Sequence, residues 1–482
     1  MDTLVVAIPS SPGSLDPRLA NDAYGQKINQ LIFRGLFQKD EHLNVVPDLA
    51  ARLDQPSPTT YIVTLQKGVR FHDGSELTAD DVVYTIRSIL DGEVLSPFKE
   101  AFARVKTIIA IDRTTVRIEL TEPYAPFLTS LCYGIVPRQA ATKLGQNFGR
   151  QPIGSGPYHF VRWVDETAIE LERHEPVHDA RPPHLSFRII KDDNTRVLML
   201  LKGEIDFVMN AVPPVLLKRI KDEPRLKLDT SEGITMSYVG MNLEDPILRD
   251  RRVRQAIALA LNRNDLIAYR RYGYASKANS LLAPTNWAYA PNLPQIGYDP
   301  AQAKRLLDEA GFVDPDGDGP KKRFTLTFRT STAKERVDIV RMIALQLADV
   351  GIGIDILSYE WGTFFRDIQR GNFQLYSLQW VGVTEPDIYY DVFHSSRFPP
   401  AGLNRGKYAN AEMDRLVEEG RRSLDPEQRK KSYAKIQSML LSDVPVIPLW
   451  YEQNVAVMQN NISQVHLRPD ASFMILKDVV KQ

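Results

Sequence analysis

The chain carries a single cysteine, Cys132, in 482 residues, so no internal disulfide can form. Cys132 sits in the apolar run FLTSLCYGIV and reads as a buried, inert thiol. Neither sign of charge is in excess, because Lys+Arg and Asp+Glu both number 60. No basic block interleaves with stacking aromatics, which argues against nucleic acid as a partner. No uninterrupted apolar run approaches the roughly 18 residues that a membrane span needs. The motifs GxSxG, CxxC and GxxxxGK[ST] are all missing, so hydrolase, thiol-redox and nucleotide-loop readings find no support. Carboxylates are abundant, yet none forms a recognisable acid/base pair. A non-enzyme without a cofactor is expected. Met1 is followed at once by the strand-like DTLVVAIP, with no basic n-region and no apolar h-region. The expectation is a chain trimmed of its signal peptide, with Met1 in its place; a cytosolic protein is the alternative.

What is present is a long α/β pattern. At this length the chain should split into two or three domains. Leu4–Ile8 reads as a first strand, followed by the loop Ser10–Pro17 (SSPGSLDP). That loop can turn hydroxyls and backbone N–H groups of Ser10, Ser11 and Gly13 toward a cleft, or serve as a plain turn. Residues 26–37 carry Ile28, Leu31, Ile32 and Gly35 at helical spacing. Thr78 with Asp81 forms a capping box ahead of a helix bearing Val82, Val83, Ile86, Ile89 and Leu90. Residues 186–208 read as β-α-β, with the helix closed by Gly203. Val253, Ala256, Ile257, Ala260 and Leu261 match an amphipathic helix, and Asp299-Pro300 opens another that Gly311 stops. A second β-α-β unit runs from Phe324 to Leu357. Two helices follow Asn410, the second opened by Asp425-Pro426, and short strands fill the tail at 446–450 and 455–458.

The stretch Phe373–Phe393 (FQLYSLQWVGVTEPDIYYDVF) is the most informative. It reads as a strand buried on both faces, a glycine-containing loop and a helix start, with Thr384 and Asp387 as a capping box. In open α/β sheets ligands sit at the carboxyl ends of strands, so Trp380, Val381, Gly382, Val383 and Thr384 are binding candidates. Other local patterns are weaker. His72 beside Asp73 has no second His or Cys at ligand spacing. Pro152–Tyr158 (PIGSGPY) marks a domain crossing and lacks the phosphate-loop lysine. Asp314, Asp316 and Asp318 occupy positions 1, 3 and 5 of a calcium-type loop, but position 12 is Thr325 and three cations crowd the site. A rigid polar turn is the better reading there, with calcium the weaker alternative.

Several segments together, in order, resemble the extracytoplasmic solute-binding proteins of ABC importers, in the family 5 cluster that carries dipeptides, oligopeptides and nickel chelates. They are SLDP (Ser14–Pro17), GVRFHDGSELTADDVVYT (Gly68–Thr85), GSGPY (Gly154–Tyr158), KGEIDF (Lys202–Phe207), RDRRVRQAIALALNR (Arg249–Arg263), YDPAQAKRLLDEAGF (Tyr298–Phe312) and VGIGIDI (Val350–Ile356). The resemblance implies a two-lobed periplasmic-binding-protein fold of cluster C type, with two hinge strands and a subdomain inserted in lobe I. Lobe I would comprise residues 1–42, 151–232 and a C-terminal return at 464–482. The insert would be residues 43–150, and lobe II residues 233–463. It further implies a monomer, periplasmic or tethered to the outer face of the cytoplasmic membrane. Such a protein encloses a peptide or other small solute in an interlobe cleft and hands it to a membrane permease.

The site implied by the resemblance departs from the family in one respect. Peptide-binding members keep an aspartate for the peptide ammonium shortly after the lobe II tryptophan. Here Trp380 is kept and that position is Val383. An ammonium buried there would lack a counter-charge, so amine recognition should be unconventional. Glu385 and Asp387 lie nearby, where the next helix begins. Arg329 matches an arginine that holds a peptide carboxylate, and Asn404 and Arg405 match a loop bordering the pocket. Ser10, Ser11, Gly13 and Tyr24 are the lobe I candidates. A metal chelate, haem or an oligosaccharide as solute, or a cytosolic ligand sensor, are the alternative functions.

Overall fold

A computed structural model of the chain describes residues 3–175, 180–317 and 319–482. The chain divides into two compact units, Met1–Ser231 with Asn454–Gln482, and Glu232–Gln453. Each is a mixed α/β body with its own sheet and core, and the chain passes from one to the other twice.

The first unit is built on a seven-stranded sheet. Its order is Leu226–Ser231, Asn454–Gln459, Phe207–Met209, Thr3–Ile8, His184–Ile189, Ala168–Arg173 and Tyr158–Val164. Thr3–Ile8 is the parallel centre, flanked by His184–Ile189 and Phe207–Met209. The helix Asp193–Lys202 makes the crossover between those two, capped by Asp192 at its start and by left-handed Gly203 at its end. The strand Asn454–Gln459 pairs antiparallel with strands on both sides of it in this sheet. The return therefore begins ten residues before the expected residue 464. NVAVMQ is apolar enough for either sheet, and only long-range pairing decides which one it enters.

Within the first unit, residues 36–135 gather a separate hydrophobic cluster. A four-stranded antiparallel sheet (Ala50–Ser57, Thr60–Leu65, Thr115–Leu120, Val105–Asp112) is covered by the helix Ala79–Leu90. That helix starts at the capping box read from Thr78 and Asp81, and it buries Val82, Ile86 and Ile89. SLDP has a structural role here. Asp16 holds Arg18 in a buried pair at 2.7 Å, and Arg18 also donates to Ser88 Oγ at 3.2 Å. The helix expected over residues 26–37 runs instead from Ala23 to Ile32. Gly35 lies beyond it, where an added Cβ would come within 2.7 Å of the Cys132 and Phe37 carbonyl oxygens. Burial pushes the Cys132 thiol up to about 11, away from nucleophilic reactivity.

His72 proves to be a staple. Its Nδ1 accepts from the Gly154 N–H at 3.3 Å and its Nε2 lies 3.0 Å from the Gly156 carbonyl oxygen. One imidazole thereby ties the FHDG turn to GSGPY. Burial, only partly opposed by the Gly156 bond, brings its pKa from 6.5 to about 4. The unfolded chain then binds a proton that the folded one refuses, so this contribution to stability is lost as pH falls from about 6.5 toward 4. His72→Asn should flatten that part of the stability–pH curve. Urea midpoints of both proteins between pH 7.5 and pH 4.5 would check this, and parallel curves would refute it.

The second unit has a six-stranded sheet in the order Ala275–Lys277, Val446–Glu452, Met236–Met241, Leu375–Trp380, Phe324–Ser331 and Ile352–Tyr359. Phe324–Ser331 lies parallel to both of its neighbours. The helix Lys334–Ala348 bridges it to Ile352–Tyr359, as the β-α-β pattern requires. Leu326, Phe328, Ile339, Ile343, Leu347 and Ile352 fill the layer between helix and sheet. The helices Ala411–Arg422 and Pro426–Asp443 follow, the second capped by the Asp425 side chain. The turn at Asp314 uses its carboxylates internally. Asp314 accepts from the Asp316 N–H at 3.2 Å and lies 3.7 Å from Arg323, while Asp316 accepts from the Lys321 N–H at 3.2 Å. Asp318 lies outside the described residues. Among the described residues no cluster of three His, Cys, Asp or Glu side chains is placed to hold a metal ion.

Candidate solute-binding site of the second unit

The strand Leu375–Trp380 alternates between two environments because successive side chains point to opposite faces. Gln379 faces a polar cluster. Its Nε2 donates to Glu452 Oε1 at 2.8 Å and to Ser237 Oγ at 3.0 Å, and its Oε1 accepts from Arg336 at 2.7 Å. Trp450 Nε1 donates to the same Glu452 oxygen at 2.8 Å, and Arg271 pairs with both Glu452 and Glu335. These bonds fix the carboxyl end of the strand, where the candidate loop begins.

Tyr376 and Trp380 lie on the other face with Tyr238 of the neighbouring strand. Tyr238 and Trp380 are stacked, with centroids 5.8 Å apart and planes 7° apart. The Arg405 guanidinium lies 5.1 Å from the Trp380 ring and 5.6 Å from Phe365. Phe365 stacks in turn on Trp361 at 5.6 Å and 13°. The result is a ladder of Trp361, Phe365, Arg405, Trp380 and Tyr238 at the end of the sheet. Trp361 is 55% exposed, so the ladder opens to the surface at that end. Its first rungs come from the helix Trp361–Arg370, whose start is capped by the Glu360 side chain. Gly240 makes room for the far end, since an added Cβ would lie 2.2 Å from the Tyr376 ring. Gly240→Ala should cost about 1–3 kcal/mol through overpacking. An unchanged urea midpoint would show that Tyr376 can move aside.

Arg405 is placed by its neighbour. Asn404 is buried, donates to the His394 and Tyr408 carbonyls at 3.1 and 2.8 Å, and accepts from the Tyr408 N–H at 3.0 Å. Its polar atoms are committed to the loop, so its contribution is to hold Arg405 in position. The Leu243 N–H donates to the Gly406 carbonyl at 3.0 Å and docks the same loop on the sheet. Arg405 donates to Tyr238 Oη at 3.1 Å, and Tyr238 and Tyr376 hydroxyls lie 3.4 Å apart. Burial pushes the Tyr238 phenol well above its usual range and also raises Tyr376. At neutral pH both phenols stay protonated and give the guanidinium no negative charge.

The loop after Trp380 is shaped by Gly382, whose φ of 69° is a left-handed conformation favouring glycine. Val381 is 67% exposed, while Val383 is buried. Asn286 Nδ2 donates to the Thr384 carbonyl at 2.9 Å. The capping box expected of Thr384 and Asp387 does not form. The helix runs Ile388–Phe393, and the Asp387 side chain makes no capping bond. Asp387 instead accepts from Arg421 Nε at 3.0 Å and from its NH2 at 2.8 Å, in a two-pronged buried pair. Glu385 is paired with Arg429 at 2.5 Å. Two full guanidinium partners outweigh the gain from capping a six-residue helix. The sequence distance of 34 and 44 residues hid both partners.

The other expected residues fall elsewhere. Arg329 pairs with Asp367 at 2.5 Å and lies 5.2 Å from the Tyr359 ring, so its charge is met within the chain. In the first unit, Ser10 is exposed, Ser11 is half-buried with a hydrogen bond to Glu166, and the Gly13 N–H donates to Asp22 at 3.1 Å. Tyr24 packs on Phe473 with centroids 6.3 Å apart, and burial raises its phenol to about 12. Sequence reading missed Tyr238, Trp361 and Phe365. An aromatic at the first position of a helix (Trp361) was the available signal.

The chain as a whole is similar to known proteins. Residues 44–398 match the family model described as bacterial extracellular solute-binding proteins, family 5 Middle. The oligopeptide-binding protein AppA of Bacillus subtilis (strain 168) is 30% identical over 97% of this chain and 89% of its own. The glutathione-binding protein GsiB of Salmonella choleraesuis (strain SC-B67) is 28% identical over 98% and 93%. The solved AppA structure, in complex with a nonapeptide, superposes with a TM-score of 0.81 at 28% identity, covering 100% of this chain and 99% of that one. The ABC transporter substrate-binding protein CtaP of Listeria monocytogenes gives 0.88 at 26% identity, covering 99% of each. These relatives are named as binding proteins, CtaP as the substrate-binding protein of an ABC transporter, and no helix among the described residues is long and apolar enough to cross a membrane. With the expected two-unit α/β architecture and a family match across most of its length, the chain belongs to the bacterial extracellular solute-binding proteins of family 5.

Proposed function

We propose that this protein captures a peptide or peptide-like solute against the ladder of the second unit and delivers it to the permease of an ABC importer. The observation that carries the reading is the surface-opening stack of Trp361, Phe365, Arg405 and Trp380 beside the Val381–Thr384 loop. Stacked rings offer apolar area at low entropic cost, and the Val381–Thr384 loop lies at the carboxyl end of an interior strand, where ligands of open α/β sheets sit. The names of the AppA and GsiB relatives, an oligopeptide binder and a glutathione binder, support the peptide class. The protein works as a monomer at the outer face of the cytoplasmic membrane, free in the periplasm or tethered.

Native mass spectrometry of the purified protein, followed by calorimetric titration with di- to pentapeptides, tests the reading. A peptide mass carried through purification, or saturable heats with peptides, is the expected result. A metal chelate, haem or sugar in place of a peptide would overturn the substrate class while leaving the transport role intact.

A further inference from the structure

We infer that the second unit receives the solute through a negatively charged group, a carboxylate, held at Arg405, and that it does not receive an ammonium. The inference rests on the binding reading above and adds the polarity of the bound solute.

Arg405 lies 5.1 Å from the Trp380 ring and 5.6 Å from the Phe365 ring and has only phenols as polar partners. Among the described residues it has no carboxylate at ion-pair distance. Its guanidinium is partly withdrawn from water, which is costly for a cation without a counter-charge. The phenols are protonated and supply none. Yet Arg405 has no buried donor left without a partner, so the donors that Tyr238 and Tyr376 leave over face solvent. A rigid planar fork beside two aromatic rings, with open donors, fits a carboxylate.

The loop after Trp380 offers no open carboxylate to an ammonium. Glu385 is taken by Arg429 and Asp387 by Arg421. Val383 is buried and apolar, and the exposed member of the loop is Val381. The nearby Glu452 and Glu335 are both paired with Arg271, and Asp367 is paired with Arg329. The carboxylates around the ladder are thus matched by arginines of the chain or, for Glu360, engaged by the Gly362 and Thr363 N–H groups that it caps, while Arg405 is left over.

Three probes separate the two ends of a peptide: trialanine, N-acetyl-trialanine, and trialanine amide. Calorimetry on the wild-type protein should show acetylation tolerated within about 3-fold and amidation weakening binding by about 10-fold or more, since a buried charge contact is lost. In Arg405→Gln the acid-to-amide ratio should fall to near one, and Arg405→Lys, which keeps the charge without the plane, should restore part of it. The wild-type comparison needs no variant, so it stands even where Arg405→Gln fails to fold. An amide that binds as well as the acid, or a ratio that survives Arg405→Gln, overturns the inference and leaves the peptide reading standing. An N-carboxyalkyl amino acid serves as a fourth, non-peptide probe. If it alone binds, and depends on Arg405, the peptide reading fails and the inference holds. No binding of any carboxylate probe overturns the inference.

Discussion

Asp387→Ala is expected to destabilise the second unit by about 3–5 kcal/mol, because it strands the Arg421 charge in a buried setting. The two side chains are only 9% and 10% exposed, and Arg421 also lies 3.6 Å from the Tyr390 ring centroid. The penalty comes mostly from the orphaned guanidinium and less from the lost attraction. The double variant Asp387→Ala with Arg421→Ala should therefore be more stable than Asp387→Ala alone. Urea unfolding of the two single variants and the double one gives the coupling directly. If Asp387→Ala unfolds within about 0.5 kcal/mol of wild type, the pair is not the anchor of this loop. The result bears on function because Asp387 and Glu385 pin the end of the loop whose start is Trp380.

Trp380→Ala is expected to lower affinity for a bound peptide by about 2–4 kcal/mol, roughly 30- to 1,000-fold in Kd. Trp380 stacks with Tyr238 and lies beside the Arg405 guanidinium, so its removal opens the middle of the ladder. It is only half-buried, so folding should suffer much less than binding. Calorimetry gives the first quantity and thermal unfolding the second. Unaltered affinity with a lowered unfolding temperature would reverse the assignment and make Trp380 a packing residue.

Local features were legible in the sequence because their physics is local. The capping box at Thr78, the Gly203 stop and the Asp425 cap all appear as read. Each depends on groups within a few residues, where spacing and rotamer suffice. The Thr384–Asp387 box had the same signature and failed, because Arg421 and Arg429 reach that loop from a helical pair far along the chain. The strand Asn454–Gln459 shows the same limit, since its composition fits either sheet and its pairing partners lie more than 200 residues away. Arg329 and Arg405 make the contrast sharpest within the site. Both are arginines near aromatic neighbours in sequence, and only the fold gives one an aspartate and leaves the other with phenols.

The sequence by itself determined the α/β class, the family and the segment from Phe373 to Phe393 as the place to look. Periodicity, caps and ordered motifs are properties of short stretches, and short stretches are what a sequence displays. The tertiary structure decided which charges there are spent and which remain. Glu385 and Asp387 were open to an ammonium until Arg429 and Arg421 claimed them, and Arg405 was one cation among many until Trp380 and Phe365 closed on it. Electrostatic pairing acts through space at a few ångströms, and chain distance carries no record of it.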